Sequence, residues 1–358
     1  MFLRGILDWS SSSSFLTRKN KDDVPSVKES NFQYELTSKE KRQLKHSQEK
    51  PKVVALYDEH DGATNADLAI KHIEGKGIEV LKVSPEEGLK HPAMAQGDIH
   101  GIYLPGGSDI PVDAPHDARK EFEGQLTQLA RTKDIPLLGI CRGEQALAYH
   151  NGLEVQDLVD FDKHYNHEGA NNTNNPVLNN TVIVEPGSQL HAAVASKLKE
   201  KGNHSPLEYS VTCLHHQHTP GDSTKTNVTT SSHNKYDHSI ESFEIKTGRF
   251  YSFGVQHHPE VTISSFEAER LEKISQAKKE AEDARFTSNY FDQDASFYTE
   301  YRSAQKIRSA YQKSRDELAA KGEMRFFTNQ VKKNFLGKTQ KEDTENLVER
   351  DPYSLFCI

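Results

Sequence analysis

The chain has 358 residues, a mean hydropathy of −0.78 and a formal net charge of −8. That acidic balance argues against nucleic acid as a partner, and no apolar stretch reaches membrane-span length. Cys141, Cys213 and Cys357 are the three cysteines. They form no disulfide framework and point to a reducing, cytoplasmic setting, with export by a non-classical route left open.

Residues 1–50 read as a disordered tail, with a serine run from Ser10 to Ser14 and too few apolar residues to build a core. No secretion signal is expected from the first residues. A catalytic domain is expected over 51–285. It opens with an apolar strand at 53–57, a helix at 66–74 and a strand at 78–83. A third strand at 101–104 runs into Pro105-Gly106-Gly107-Ser108. A helix over 122–130 follows, with Phe122, Leu126, Leu129 and Ala130 on one face, and then a strand at 137–140. Strands alternating with helices predict an α/β fold on a parallel sheet with right-handed crossovers. Its functional groups belong at the carboxyl ends of the strands. Beyond an asparagine-rich loop at 166–180, strands are expected at 181–184, 210–215, 240–245 and 251–256, with a helix at 189–198.

The strand at 137–140 ends in Gly139-Ile140-Cys141-Arg142-Gly143-Glu144-Gln145, and a helical pattern follows at once. Glycines two residues before and after a cysteine fit a nucleophile elbow, where strand and helix crowd around a strained residue. The turn lifts the sulfur from the sheet and sets it at a helix N-terminus, where the helix dipole favours negative charge. Downstream, Gly254-Val255-Gln256-His257-His258-Pro259-Glu260 offers a base and a carboxylate to orient it. Cys, His and Glu in that order supply a nucleophile, a general base and an orienter. Either His257 or His258 could be the base on residue type alone.

Together these motifs resemble class I glutamine amidotransferases, specifically the gamma-glutamyl hydrolase branch, and are similar in pattern to members that hydrolyse gamma-glutamyl-gamma-aminobutyrate. The resemblance spans about Val53 to Phe266. It implies a flavodoxin-like three-layer α/β/α fold with a mostly parallel central sheet. It implies a thioester mechanism with Cys141 as nucleophile, His258 rather than His257 as base, and Glu260 behind it. The oxyanion would be held by backbone N–H groups of Gly106, Gly107 and Arg142.

Leu214-His215-His216-Gln217 resembles the family segment that lines the glutamyl pocket, so the resemblance assigns substrate binding to His215 and Gln217. Gln145 and Glu241 match family positions near the site. The Arg142 guanidinium is expected to pair with a substrate carboxylate. Thr212-Cys213 replaces the Asn-Ser of many relatives, which leaves the exact substrate open. The spacings of His164, His167 and Glu168, and of His215, His216 and His218, are weak metal signals, and no metal or other cofactor is expected.

The expected activity is hydrolysis of gamma-glutamyl amides on a small molecule or on a modified protein. A glutaminase subunit that delivers ammonia to a partner synthase is the rival enzyme reading. A non-catalytic interaction protein on a hydrolase scaffold is the third. Residues 286–358 read as a charge-rich helical C-terminal extension. Tyr298, Tyr301, Ile307 and Tyr311 suggest a modest apolar stripe. The reading is a solvated appendage on the core, with a docking surface for a protein partner as the alternative.

Overall fold

Val53-Val54-Ala55-Leu56 is apolar at every position, as a strand covered on both faces requires, and all four side chains are fully buried. The computed structural model in which they lie describes residues 32–95, 97–111, 116–159, 164, 178–200, 204–213, 215–221, 227–288 and 315–350. The strands are β1 (Lys52–Leu56), β2 (Glu79–Val83), β3 (Gly101–Leu104), β4 (Leu137–Ile140), β5 (Gln156–Asp157), β6 (Leu178–Val184), β7 (Leu207–Cys213), β8 (Gln217–His218), β9 (Val228–Asn234), β10 (Ile240–Lys246) and β11 (Tyr251–Val255). The helices are α1 (Ser38–His46), α2 (Ala63–Glu74), α3 (Pro92–Ala95), α4 (Ala118–Lys133), α5 (Arg142–His150), α6 (Gln189–Leu198), α7 (Pro259–Ser288) and α8 (Arg315–Arg350).

Nine strands form one sheet in the order β2-β1-β3-β4-β11-β10-β9-β6-β7. The five from β2 to β11 pair in parallel, which is the parallel sheet expected from the strand–helix alternation and agrees with the flavodoxin-like fold that the resemblance implies. From β11 through β10, β9 and β6 to β7 every pairing is antiparallel. Alternate residues along the strands feed two cores. Val54, Leu56, Ile102 and Leu104 face Phe122 and Leu126 of α4 and Leu147 of α5. Val53, Ala55 and Tyr103 face Ile70 and Ile73 of α2 together with Phe326 and Phe327 of α8. Helices on both faces complete the three layers.

Strand β9 was not expected from its sequence, Val-Thr-Thr-Ser-Ser-His-Asn. Its inward side chains are polar and satisfied by neighbours rather than by apolar packing. Ser232 and Ser242 hydroxyls lie 2.6 Å apart, and the Ser231 hydroxyl donates to Glu244 at 3.0 Å.

Both expected termini need correction. The tail does not extend to residue 50. Phe32, Tyr34 and Leu36 are buried, and the rings of Phe32 and Tyr34 pack on Phe326 at 6.2 and 5.9 Å between centroids. Helix α1 then opens with a capping box between Thr37 and Glu40. At the other end, α8 is part of the core rather than an appendage. Ala319, Met324, Phe326, Phe327 and Val331 are fully buried, and Phe326 meets Phe253 of β11 at 5.0 Å. Gly322 permits the crossing of α8 over α6, since a β-carbon there would stand 2.9 Å from the Val194 backbone. The helical character expected over 286–358 holds for 315–350. Tyr298, Tyr301, Ile307 and Tyr311 lie outside the described residues.

Candidate active site

Cys141 joins β4 to α5 with φ 53° and ψ −109°, a conformation that a non-glycine residue adopts only under constraint. The constraint is visible in its neighbours. A β-carbon on Gly139 would fall 2.3 Å from the Gly143 carbonyl oxygen, and one on Gly143 would fall 2.1 Å from that of Leu104. Neither position accepts a side chain. The Cys141 amide donates to the Val255 carbonyl at 2.8 Å, which locks the turn to β11.

That strand leads to His258. His258 follows β11 directly, and its amide donates to Thr212 at 2.8 Å. Its Nδ1 lies 2.6 Å from Glu260 Oε1, and its side chain is hydrogen-bonded to that of Cys141. Burial opposes charge on this imidazole, but Glu260 and the Cys141 sulfur override it and hold His258 well above the ordinary histidine range. Cys141, His258 and Glu260 thus form one hydrogen-bonded relay. His257 turns the other way. Its Nε2 lies 2.9 Å from Glu323 Oε1 on α8, and its Nδ1 lies 3.7 Å from Glu241. Burial again opposes the charge, and these two carboxylates raise His257 to about 10.

The Pro105–Ser108 loop runs beside this pair. A β-carbon on Gly106 would stand 3.0 Å from His258 Cε1 and 3.5 Å from Cys141 Cβ. Arg119 of α4 donates to the carbonyls of Pro105 and Gly106 at 3.1 and 2.8 Å. Because a trans peptide points its N–H opposite to its C=O, the amides of Gly106 and Gly107 are turned away from Arg119. Asp61 accepts from Arg119 at 2.7 Å and from the Ser108 amide at 2.7 Å. Buried Glu123 accepts from Arg119 and Arg142, each at 3.0 Å.

The Arg142 guanidinium is therefore not aimed at a substrate carboxylate, as the sequence suggested. It is 3 % exposed and tied to Glu123, Asp117 and the Ser108 carbonyl. A buried guanidinium must satisfy its donors with protein acceptors, and these use it to brace the loop. Gln145 donates to the Gln217 carbonyl at 2.8 Å and to Gln256 at 3.1 Å. Gln217 clasps the Ile110 backbone, taking its amide at 2.8 Å, and donates to Asp157 at 3.1 Å. His215 Nδ1 lies 2.9 Å from the Gln217 carbonyl. The three side chains thus converge, buried, around residue 217.

Arg119, Asp61, Glu123 and Glu323 were not singled out from sequence. Arg119 and Glu123 carried a readable signal. They share the α4 face of Phe122, Leu126 and Ala130, and a charge on an apolar stripe is buried and paired. Asp61 and Glu323 had no such signal. His164, His215 and Glu241 meet at one point, and His216 is exposed and not part of that group. His167 and Glu168 lie outside the described residues. None of the described helices is long and apolar enough to cross a membrane.

A family model described as Peptidase C26 matches residues 56–260, more than half of the chain and including all three relay residues. Among curated proteins, the carbamoyl phosphate synthase small chain of Helicobacter acinonychis is 29% identical over 170 residues, 47% of this chain and 34% of that one. CTP synthase of Mycobacterium avium is 29% identical over 119 residues, 31% of this chain and 19% of that one. The gamma-glutamyl-CDP-amidate hydrolase of Campylobacter jejuni is 36% identical over 55 residues, 14% of this chain and 28% of that one. The chain therefore spans about a third or less of the length of these relatives. A solved glutamine amidotransferase from Thermotoga maritima superposes with a TM-score of 0.47 at 18% identity, over 79% of this chain and 99% of that one.

Proposed function

The chain belongs to the Peptidase C26 family, of class I glutamine amidotransferase-like proteins, and from that premise we propose that it is a cysteine hydrolase that cleaves gamma-glutamyl amide bonds. The observation that carries this reading is the Cys141–His258–Glu260 relay on a strained elbow beside Gly106. In the proposed reaction the Cys141 sulfur attacks the gamma carbonyl and a C–S bond forms. The oxyanion is held by the N–H groups of Gly107 and Arg142, with Gly106 beside them. His258 gives its proton to the nitrogen, the C–N bond breaks and the amine leaves. Water, deprotonated by His258, then cleaves the thioester to free the acid and restore Cys141. Glu260 stabilises the imidazolium throughout. Gln145, His215 and Gln217 shape the glutamyl side of the pocket through the contacts around residue 217.

Purified chain, assayed alone and without ATP against gamma-glutamyl conjugates, tests this, with Cys141→Ala as control. Release of the amine by the parent and not by the variant is expected. Cleavage of alpha-linked peptides in preference to gamma-linked ones would sink the reading. The similarity to synthase chains supports a second reading, a glutaminase that supplies ammonia to a partner. Glutamine turnover that starts only when a second protein is added would favour it over the first.

A further inference from the structure

Behind the relay, His164, His215 and Glu241 bring three ligand-type atoms within 4.8 Å of one another, and all three residues are buried. They come from separate parts of the chain. His164 follows β5, His215 lies in the turn between β7 and β8, and Glu241 is on β10. We propose that these residues bind a divalent first-row transition ion, with zinc the expected occupant, through His164 Nε2, His215 Nε2 and the Glu241 carboxylate.

The hydrogen bonds around the rings set the tautomers that a metal requires. His164 Nδ1 lies 2.6 Å from Asp237 Oδ2, and His215 Nδ1 lies 2.9 Å from the Gln217 carbonyl. Both acceptors place the ring proton on Nδ1 and turn the Nε2 lone pair inward. A carboxylate or carbonyl behind a metal-binding imidazole is the usual outer arrangement of such sites. Glu241 has its own outer partners, since the amides of Asn180 and Asn234 donate to Oε1 at 3.2 and 3.3 Å. The Asn180 amide also stands 3.5 Å from His164 Nε2.

The spacing discriminates among occupants. The two Nε2 atoms are 3.3 Å apart, and His164 Nε2 is 3.6 Å from Glu241 Oε1. Ligand atoms at about 2.0–2.2 Å from a tetrahedral ion stand about 3.3–3.6 Å from each other. Acceptors around an ammonium group, each at about 2.9 Å, would stand roughly 4.7 Å apart, so an amine does not fit. A proton shared between the rings is the remaining rival. It would make one ring cationic, and a contact of 3.3 Å is long for an N–H donor, which prefers about 2.9–3.0 Å. Two imidazoles and a carboxylate are a zinc donor set.

The proposed ion is a clamp rather than a reacting centre. It would fasten the segment carrying His164 to the sheet behind the pocket. Glu241 is shared with His257, the neighbour of the base, so the clamp also steadies the segment that presents His258.

Metal analysis of the full chain, prepared without a histidine tag, tests the site without reference to activity. About one zinc per chain is expected, and cobalt(II) added to the metal-free folded chain should give the visible absorption of a tetrahedral nitrogen–oxygen site. His215→Ala and Glu241→Gln should each lower zinc affinity at least tenfold, while Cys141→Ala and His216→Ala retain it. Should both ligand variants fail to fold, the cobalt spectrum of the parent chain still decides. No zinc and no cobalt spectrum overturns the proposal. So does binding that survives Glu241→Gln but is lost in His218→Ala, which would move the ion to the group of His164, His218 and Asp237.

Discussion

Glu323 of the C-terminal helix α8 and His257, the residue before His258, form a buried ion pair at 2.9 Å. Tyr209 donates to the same carboxylate oxygen. The helix therefore reaches into the layer directly behind the relay and holds a positive charge there, which only paired carboxylates make tolerable.

Removal of the helix is expected to be costly. A chain ending at residue 314 loses Phe326, Phe327 and Val331 from the core and leaves His257 with one carboxylate fewer. Little soluble protein should be recovered. Glu323→Ala alone should lower stability by about 3–5 kcal/mol, the cost of stranding a buried charge. Chemical denaturation measures it, and a change below about 1 kcal/mol would show that removing Glu323 strands no charge.

Within the relay, the three side chains should respond unequally. Cys141→Ala and His258→Ala each remove a chemical step and should abolish turnover. Glu260→Gln misplaces and destabilises the imidazolium and should leave measurable activity, down by on the order of 10⁴. Single-turnover kinetics check this, and an inactive His257→Ala beside an active His258→Ala would reverse the assignment. At low iodoacetamide, Cys141 should be modified well before Cys213. Cys213 is fully buried, which together with Glu241 and Cys141 nearby pushes its thiol well above the ordinary value.

Arg119→Lys keeps the charge but loses the fork that takes the Pro105 and Gly106 carbonyls together. The loop should then present its amides less well to an oxyanion. The expected loss is about 10- to 100-fold in kcat with KM little changed, below the roughly 3 kcal/mol of losing a donor outright. An equal rise in KM would mean that Arg119 acts on substrate binding instead.

Stability should fall with acid through His100. Its Nδ1 accepts from the Lys52 amide at 3.2 Å, and its Nε2 lies 3.1 Å from Asp98. Burial pushes His100 down to about 4, against the opposing pull of Asp98. A histidine held below its unfolded value stabilises the fold above pH about 6.5, and that contribution is lost as pH falls towards about 4. The magnitude is on the order of 3 kcal/mol. Melting curves from pH 7 to 4 should slope less steeply in His100→Asn than in the parent, and parallel slopes would refute the assignment. His100 packs on Phe335 of α8 at 5.1 Å between ring centroids, so this acid loss should loosen the C-terminal helix first.

The local chemistry of this protein was written in short stretches of chain. Gly139 and Gly143 around Cys141, the Pro105–Ser108 turn, and His258 two residues before Glu260 are local patterns, because an elbow, a tight turn and an i,i+2 pair need no distant partner. The parallel half of the sheet was equally legible, since strand and helix periods alternate plainly from Val53 to Cys141. What tertiary structure alone decided were the contacts made across the chain. The role of Arg142 depended on Glu123 and Ser108 lying where its guanidinium reaches, and Gln145, His215 and Gln217 were drawn into one another's hydrogen bonds. Strand β9 hid because its inward serines and asparagine are satisfied by β10 rather than by apolar contact. The long charged helix α8 hid its apolar face among lysines and glutamates, and only its docking against β11 and α6 made Glu323 a neighbour of the candidate site. Sequence specifies a residue's own propensities, but a buried charge is permitted only by the partner that folding brings to it.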